Sequence, residues 1–232
     1  MDLLTPSLLR RALPRLALLA LVWFTLSGHV LSGCKGLFKP AIPEPPSGPP
    51  IQLDYSSPEA TLKTMEKGIQ GKGQGASAWL GAFQDSTRPD DQIGYHQYFD
   101  SGDLQFFVSA CHCEAPSDWR WGQEQAFFLA FIDVRPSDDY AAVFDSIPGL
   151  PDDPAQDFEA VLHRSYRVLA NSIDGNSTSI IAIGTADLTF TKVPNGQWLV
   201  TRWVDHVDPT IGVNPTDPDQ LTLGRRRLDS TR

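Results

Sequence analysis

An α+β fold, with helices packed on one face of a curved, mainly antiparallel sheet, is predicted by three observations. Between Ser57 and Ile132 apolar residues recur mostly at spacings of three and four. From Glu159 to Val207 they form three long runs rich in strand formers. The joints of those runs, Asp174-Gly175-Asn176 and Asn195-Gly196, are residues that accept the positive φ of a tight hairpin. Helices first and a meander afterwards is the order of an α+β domain.

Ser57-Pro58-Glu59 opens the first helix with a cap, a proline at the first helical position and an early acid. Leu62, Met65 and Ile69 then share one face, and the glycines of Gly71 to Gly75 end the helix. Ala76, Trp79, Leu80 and Phe83 form a second helical face. Asp85 to Gln92 reads as loop and Asp103 to Ala110 as a strand. Ser117 is placed as the cap of a third helix running through Trp121 to Phe131, with Phe127, Phe128, Phe131 and Ile132 as its core face. Ala141 to Ile147 reads as a short strand, and Pro148 to Asp157 as loop. The meander strands are Glu159 to Ala170, Thr178 to Val193 and Gln197 to Val207.

Both ends of the chain differ from this domain. Arg10, Arg11 and Arg15 precede an apolar run from Leu16, the arrangement of a secretory signal peptide. At about 15 residues that run is short of the roughly 20 that cross a bilayer core. It ends at Leu31-Ser32-Gly33-Cys34, which resembles the lipobox of bacterial lipoproteins. The resemblance implies cleavage between Gly33 and Cys34 and acylation, palmitate included, on Cys34. It also implies an exported protein anchored to a bacterial membrane, on the periplasmic face of the outer membrane where there is one. Six prolines between Pro40 and Pro50 make a semi-rigid spacer. Asn214 to Arg232 is polar and proline-containing, and reads as a disordered tail. The expected organisation is therefore signal peptide 1–33, lipidated N-terminus and linker 34–54, α+β domain 55–212 and tail 213–232.

The formal net charge of −9 repels nucleic acid and anionic headgroups, so a lipid rather than a basic patch must hold the chain to a membrane. The domain's order of helices and strands resembles the nuclear-transport-factor-2-like superfamily, the cystatin-like α+β roll. Ser57-Pro58-Glu59-Ala60, and Trp198 with Arg202-Trp203-Val204-Asp205, are similar to the opening and closing motifs of lipoproteins in that group. The resemblance implies a cone whose open end is a pocket, used in the superfamily for dehydration, isomerisation or binding of small apolar ligands.

Candidate chemistry is sparse. An isomerase needs a carboxylate base and a tyrosine beside an apolar cavity. Tyr166, Asp187 and Asp205 stand on successive strands, and strict alternation puts Asp187 on one face with Ile181 and Ile183. A buried Asp187 would need Arg164 or Arg202 as partner. The expected pocket residues are Tyr166, Asp187, Trp198, Arg202 and Trp203. Cys111-His112-Cys113 allows a disulfide in an oxidising compartment, two plain thiols or a soft-metal contact. No second ligand pair accompanies it, and no metal or cofactor is assigned. No nucleophile elbow or phosphate loop is present in the sequence. The function expected is a membrane-anchored, non-catalytic module binding a small apolar ligand or a protein. A small isomerase- or dehydratase-like enzyme is the alternative, and a metal- or redox-active lipoprotein the third reading.

Overall fold

Ser57 caps the first helix as the sequence predicts, its Oγ accepting from the Ala60 N–H at 3.1 Å. A computed structural model of the chain describes residues 50–85, 94–112, 114–116, 118–135, 137–207 and 221–231. Helix α1 (Pro58–Gln70) leads through a 3₁₀ turn (Lys72–Gly75) into α2 (Ala76–Gly81). Strand β1 (His96–Tyr98), α3 (Ser101–Cys111) and α4 (Trp121–Ile132) follow. The sheet strands are β2 (Asp139–Ser146), β3 (Glu159–Asn171), β4 (Thr178–Lys192) and β5 (Trp198–His206), and α5 (Leu223–Asp229) comes last. The sheet order is β1-β5-β4-β3-β2, antiparallel throughout except for β1 beside β5. The class is α+β, as expected. No helix among the described residues is long and apolar enough to cross a membrane. The signal segment, the lipobox and most of the proline-rich stretch lie outside the described residues.

The hairpin turns form where predicted, with Gly175 at φ +70° and Gly196 at +87°. Two register shifts bend the sheet, one at Val168/Leu169 opposite Ile181 and one at Thr189/Phe190 opposite Thr201. The concave face carries Leu162, Tyr166, Val168, Ala186, Leu188, Phe190, Val200 and Trp203, all buried against Leu62, Met65, Trp79, Phe83, Phe127 and Phe128 of the helical layer. The β2 edge is partly capped by a side chain, since Phe144 N–H donates to Glu66 Oε1 of α1 at 2.9 Å.

One contact between neighbouring segments tolerates no side chain. A Cβ on Gly75 would lie 1.8 Å from the carbonyl oxygen of Gly68, and backbone cannot swing aside as a side chain can. Gly75→Ala is expected to lower stability by about 2 kcal/mol or more, within the range of backbone-clash mutations. Chemical denaturation of the variant checks this.

Three expectations are corrected here. Asp103 to Ala110 is helix, not strand: Asp100 Oδ1 accepts from Gly102 N–H at 2.7 Å, and Asp103 and Phe107 turn one buried face inward at i, i+4. Helix α4 is capped at Arg120 rather than Ser117, with Gln123 Oε1 accepting from the Arg120 N–H at 3.1 Å; Ser117 lies outside the described residues. The tail expected to be disordered contains α5 within residues 221–231. Thr222 caps it by accepting from the Arg225 N–H at 2.8 Å, and Leu223, Arg227 and Leu228 are all fully buried.

Candidate functional site

The interior of the roll is built around a buried carboxylate. Glu124 stands in the first turn of α4, with no exposed surface. Its Oε1 accepts from Trp79 Nε1 at 3.1 Å and its Oε2 from Trp119 Nε1 at 3.0 Å. Arg227 of α5 completes the set, with Nε on Oε2 at 2.8 Å and Nη2 on Oε1 at 2.9 Å. Such a fork of two parallel, charge-assisted bonds is the strongest form of this pair. The guanidinium also lies 4.5 Å from the ring centre of Trp203 and 5.2 Å from that of Phe127. Burial alone would lower the pKa of Arg227, but Glu124, Tyr95 and Asp205 more than offset it and hold it above the ordinary arginine value.

A second carboxylate sits beside the first. Asp205, near the end of β5, is fully buried, 3.8 Å from Arg227 Nη1. Tyr166 of β3 donates its hydroxyl to Asp205 Oδ1 at 2.5 Å and accepts from the Leu223 N–H at 2.9 Å. The Gly224 N–H donates to Asp205 Oδ2. Tyr95 donates to Gln97 Oε1 at 2.8 Å in the same interior. Asp103 of α3 accepts from the Thr222 hydroxyl. Burial pushes the phenols of Tyr166 and Tyr95 well above the usual range, with the Asp205 charge adding to both.

The same desolvation pushes Asp205 up to about 7, against the pull of Arg227, Tyr166 and the Gly224 N–H and with the push of Asp103. The folded chain therefore keeps a proton that the unfolded chain releases near 3.8. Stability contributed by this group is full below that lower value and is lost as pH rises to about 7. Asp103, also raised by burial, acts with the same sign. Asp152, Asp174 and Asp187 are shifted down, so their effect falls in the acid range below their unfolded values. The melting temperature should fall between pH 5 and pH 7.5, and Asp205→Asn should flatten that slope; thermal melts across the window check it.

The expected pocket residues divide. Tyr166 and Trp203 line the interior, their rings 6.2 Å apart. Trp198 begins β5, seven residues from Asp205, where its backbone N–H donates to the Tyr55 carbonyl at 2.8 Å. Arg202 is exposed on the outer face of the sheet, its guanidinium 4.7 Å from the Tyr98 ring centre. Asp187 is also on the outer face, between His163 Nδ1 at 2.5 Å and His206 Nε2 at 3.0 Å. Partial burial alone would raise its carboxyl, but the two imidazoles hold it below the usual carboxylate range. Strict alternation from Ile181 fails because Ile181 is the extra residue of a bulge: Leu169 pairs with Ile180 and Val168 with Ala182. Beyond it Ala182, Ala186, Leu188 and Phe190 point inward and Asp187 outward. Arg164 is buried on the other parity and paired not with Asp187 but with Asp152, whose Oδ2 accepts from Nη2 at 2.8 Å. Cys111 is disulfide-bonded; Cys113 lies outside the described residues. No group of three or more His, Cys, Asp or Glu side chains among the described residues could hold a metal ion.

Sequence reasoning passed over Glu124, Trp79, Trp119 and Arg227 as parts of one site. A lone acid in an apolar helix face, followed by Phe127, Phe128 and Phe131, is the signal that was there to be read for Glu124. No sequence spacing ties it to an arginine 103 residues later.

No family model matches the chain, and no curated protein matches it. Solved structures do. A protein of unknown function from Mycobacterium tuberculosis is 14% identical, with a TM-score of 0.46 over 74% of this chain and 84% of that one. An NTF-2-like protein of unknown function from Shewanella oneidensis is 10% identical, with a TM-score of 0.40 over 62% and 92%. An NTF2-like superfamily protein from Salmonella enterica is 11% identical, with a TM-score of 0.40 over 64% and 87%. At such identities and scores these likenesses say nothing of activity.

Proposed function

We propose that this chain is a membrane-tethered, non-catalytic binding module that engages another protein rather than a small molecule held in the cone. One observation carries the reading: the tyrosine and the acid that proton-transfer chemistry would use are both spent on the chain itself. The Tyr166 hydroxyl accepts from Leu223 N–H, and Asp205 accepts from Gly224 N–H and from Tyr166. A general base must reach the proton it removes. Neither side chain has surface for substrate while α5 is docked, because Tyr166 is 1% and Asp205 0% exposed. The outer face of β3–β5, where Thr185, Asp187, Thr189 and Val204 are part-exposed, remains for a protein contact. The tether is the lipid on Cys34 that the Leu31-Ser32-Gly33-Cys34 motif implies. Two or three acyl chains, at about 0.8 kcal/mol per buried methylene, suffice for it.

Native mass spectrometry of the gently isolated chain tests the module reading. The expected result is the mass of the polypeptide with its lipid, in one or more copies. A stoichiometric small molecule bound to it would overturn the reading and favour an enzyme or carrier. For the tether, Cys34→Ser expressed in a lipoprotein-making bacterium should lose incorporation of labelled palmitate and leave the membrane fraction. Unchanged labelling would sink the lipobox assignment.

A further inference from the structure

The contacts of the C-terminal segment are those of a ligand with a receptor. Thr222 donates to Asp103, Leu223 N–H to Tyr166, Gly224 N–H to Asp205, Arg226 Nε to the Ile181 carbonyl at 2.7 Å, and Arg227 to Glu124. The Ile183 N–H, donating to the Leu221 carbonyl at 2.9 Å, is a bond in the other direction. The segment carries Arg225, Arg226 and Arg227 against Asp229, on a chain whose net charge is −9. Donors and positive charge lie on the segment, acceptors and negative charge on the body.

Part of the receptor side is supplied by the body itself. Glu124 is aimed by two indole N–H groups that belong to the body, Trp79 and Trp119. Trp203 and Phe127 supply aromatic walls at 4.5 and 5.2 Å from the guanidinium carbon. A carboxylate oriented by its own donors, flanked by ring faces and backed by a second acid, is a site for a planar cation. As a device for stability alone it would be poor, since a buried ion pair rarely outperforms apolar packing of the same volume. The segment is also no short continuation of β5: residues 208–220, with three prolines, separate it from that strand.

We propose that the interior of the roll is an arginine-recognition site, that α5 is its resident ligand in cis, and that it accepts an arginine-bearing helical segment in trans. This rests on the reading of the chain as a protein-binding module, and adds to the outer sheet face a second place of contact, the interior, with the chemistry of the partner that it takes. Exchange of α5 between two copies of the chain is the simplest form of it.

The test uses the full chain carrying Cys34→Ser and Arg227→Ala, so that the resident helix loses its anchor. The probe is a fluorescent peptide of residues 221–231. Saturable binding is expected, with affinity at least tenfold lower for the peptide carrying Arg227→Ala. The Arg227→Lys peptide should also bind more weakly, because an ammonium cannot span both Glu124 oxygens. Equal binding of the wild-type and Arg227→Ala peptides would overturn the proposal. So would equal binding of the wild-type peptide to chains with and without Arg227, or no saturable binding by a folded variant. If the variant does not fold alone, the peptide is added during refolding: recovery of the near-ultraviolet tryptophan signal supports the site, and no recovery overturns it. A small molecule found by mass spectrometry would strike at the module reading without touching these peptide results.

Discussion

Glu124→Ala should destabilise the domain by about 3–5 kcal/mol, the usual result of removing one partner from a buried ion pair. For a domain of this size that is a fall in melting temperature of roughly 6–20 °C. The physical reason is the number of groups served by one side chain. Trp79 Nε1, Trp119 Nε1, Arg227 Nε and Arg227 Nη2 all donate to Glu124, and all four lose their acceptor at once. Each buried donor left unpaired costs about 1–3 kcal/mol, more where it is charged. The converse change, Arg227→Met, should be milder, because Glu124 keeps both indoles and the methionine fills part of the volume. Thermal unfolding of the two variants ranks them. Equal, small effects would mean that the pair does not form in solution.

Deleting residues 221–232 should have the other large effect. It removes Leu223, Arg227 and Leu228, all fully buried, and strips partners from Glu124, Asp205, Tyr166 and Asp103. Two carboxylates would then face a cavity walled by Trp79, Trp119, Trp203 and Phe127. The truncated chain should unfold less cooperatively and bind a hydrophobic dye, and its tryptophan emission should shift to the red. A truly disordered tail could be cut with no change in any of these. Dye binding and tryptophan fluorescence of the truncated and full chains separate the two outcomes.

Local chemistry was legible wherever a single turn or cap decides the structure. Ser57-Pro58-Glu59 sets the start of α1, and Gly175 and Gly196 set the hairpins, because cap bonds and positive φ are properties of a few adjacent residues. Asp103 to Ala110 misled for the opposite reason. Phe106, Phe107 and Val108 carry strand propensity, but the Asp100 cap and burial of Asp103 and Phe107 on one helical face outweigh it. Asp187 misled because a bulge at Ile181 reverses the alternation counted from that residue, while Ile183, which keeps the parity of Asp187, is buried without belonging to the core cluster. The C-terminal segment was read from its composition as a polar tail. What orders it is a set of buried acceptors contributed by α3, α4, β3 and β5, and no property of the segment's own sequence reveals them. Of the expected pocket, Tyr166 and Trp203 lie inside with Arg227, while the acid that lies there is Asp205 rather than Asp187.

The docking of α5 through Arg227 can be observed directly by nuclear magnetic resonance of the arginine side chains at neutral pH. Arg227 should give an Nε–H signal protected from exchange with water, with a cross-peak to the indole N–H of Trp119, which shares Glu124 Oε2 with it. Rapid exchange of every arginine Nε–H, with random-coil shifts for residues 221–231, would contradict the account at its centre.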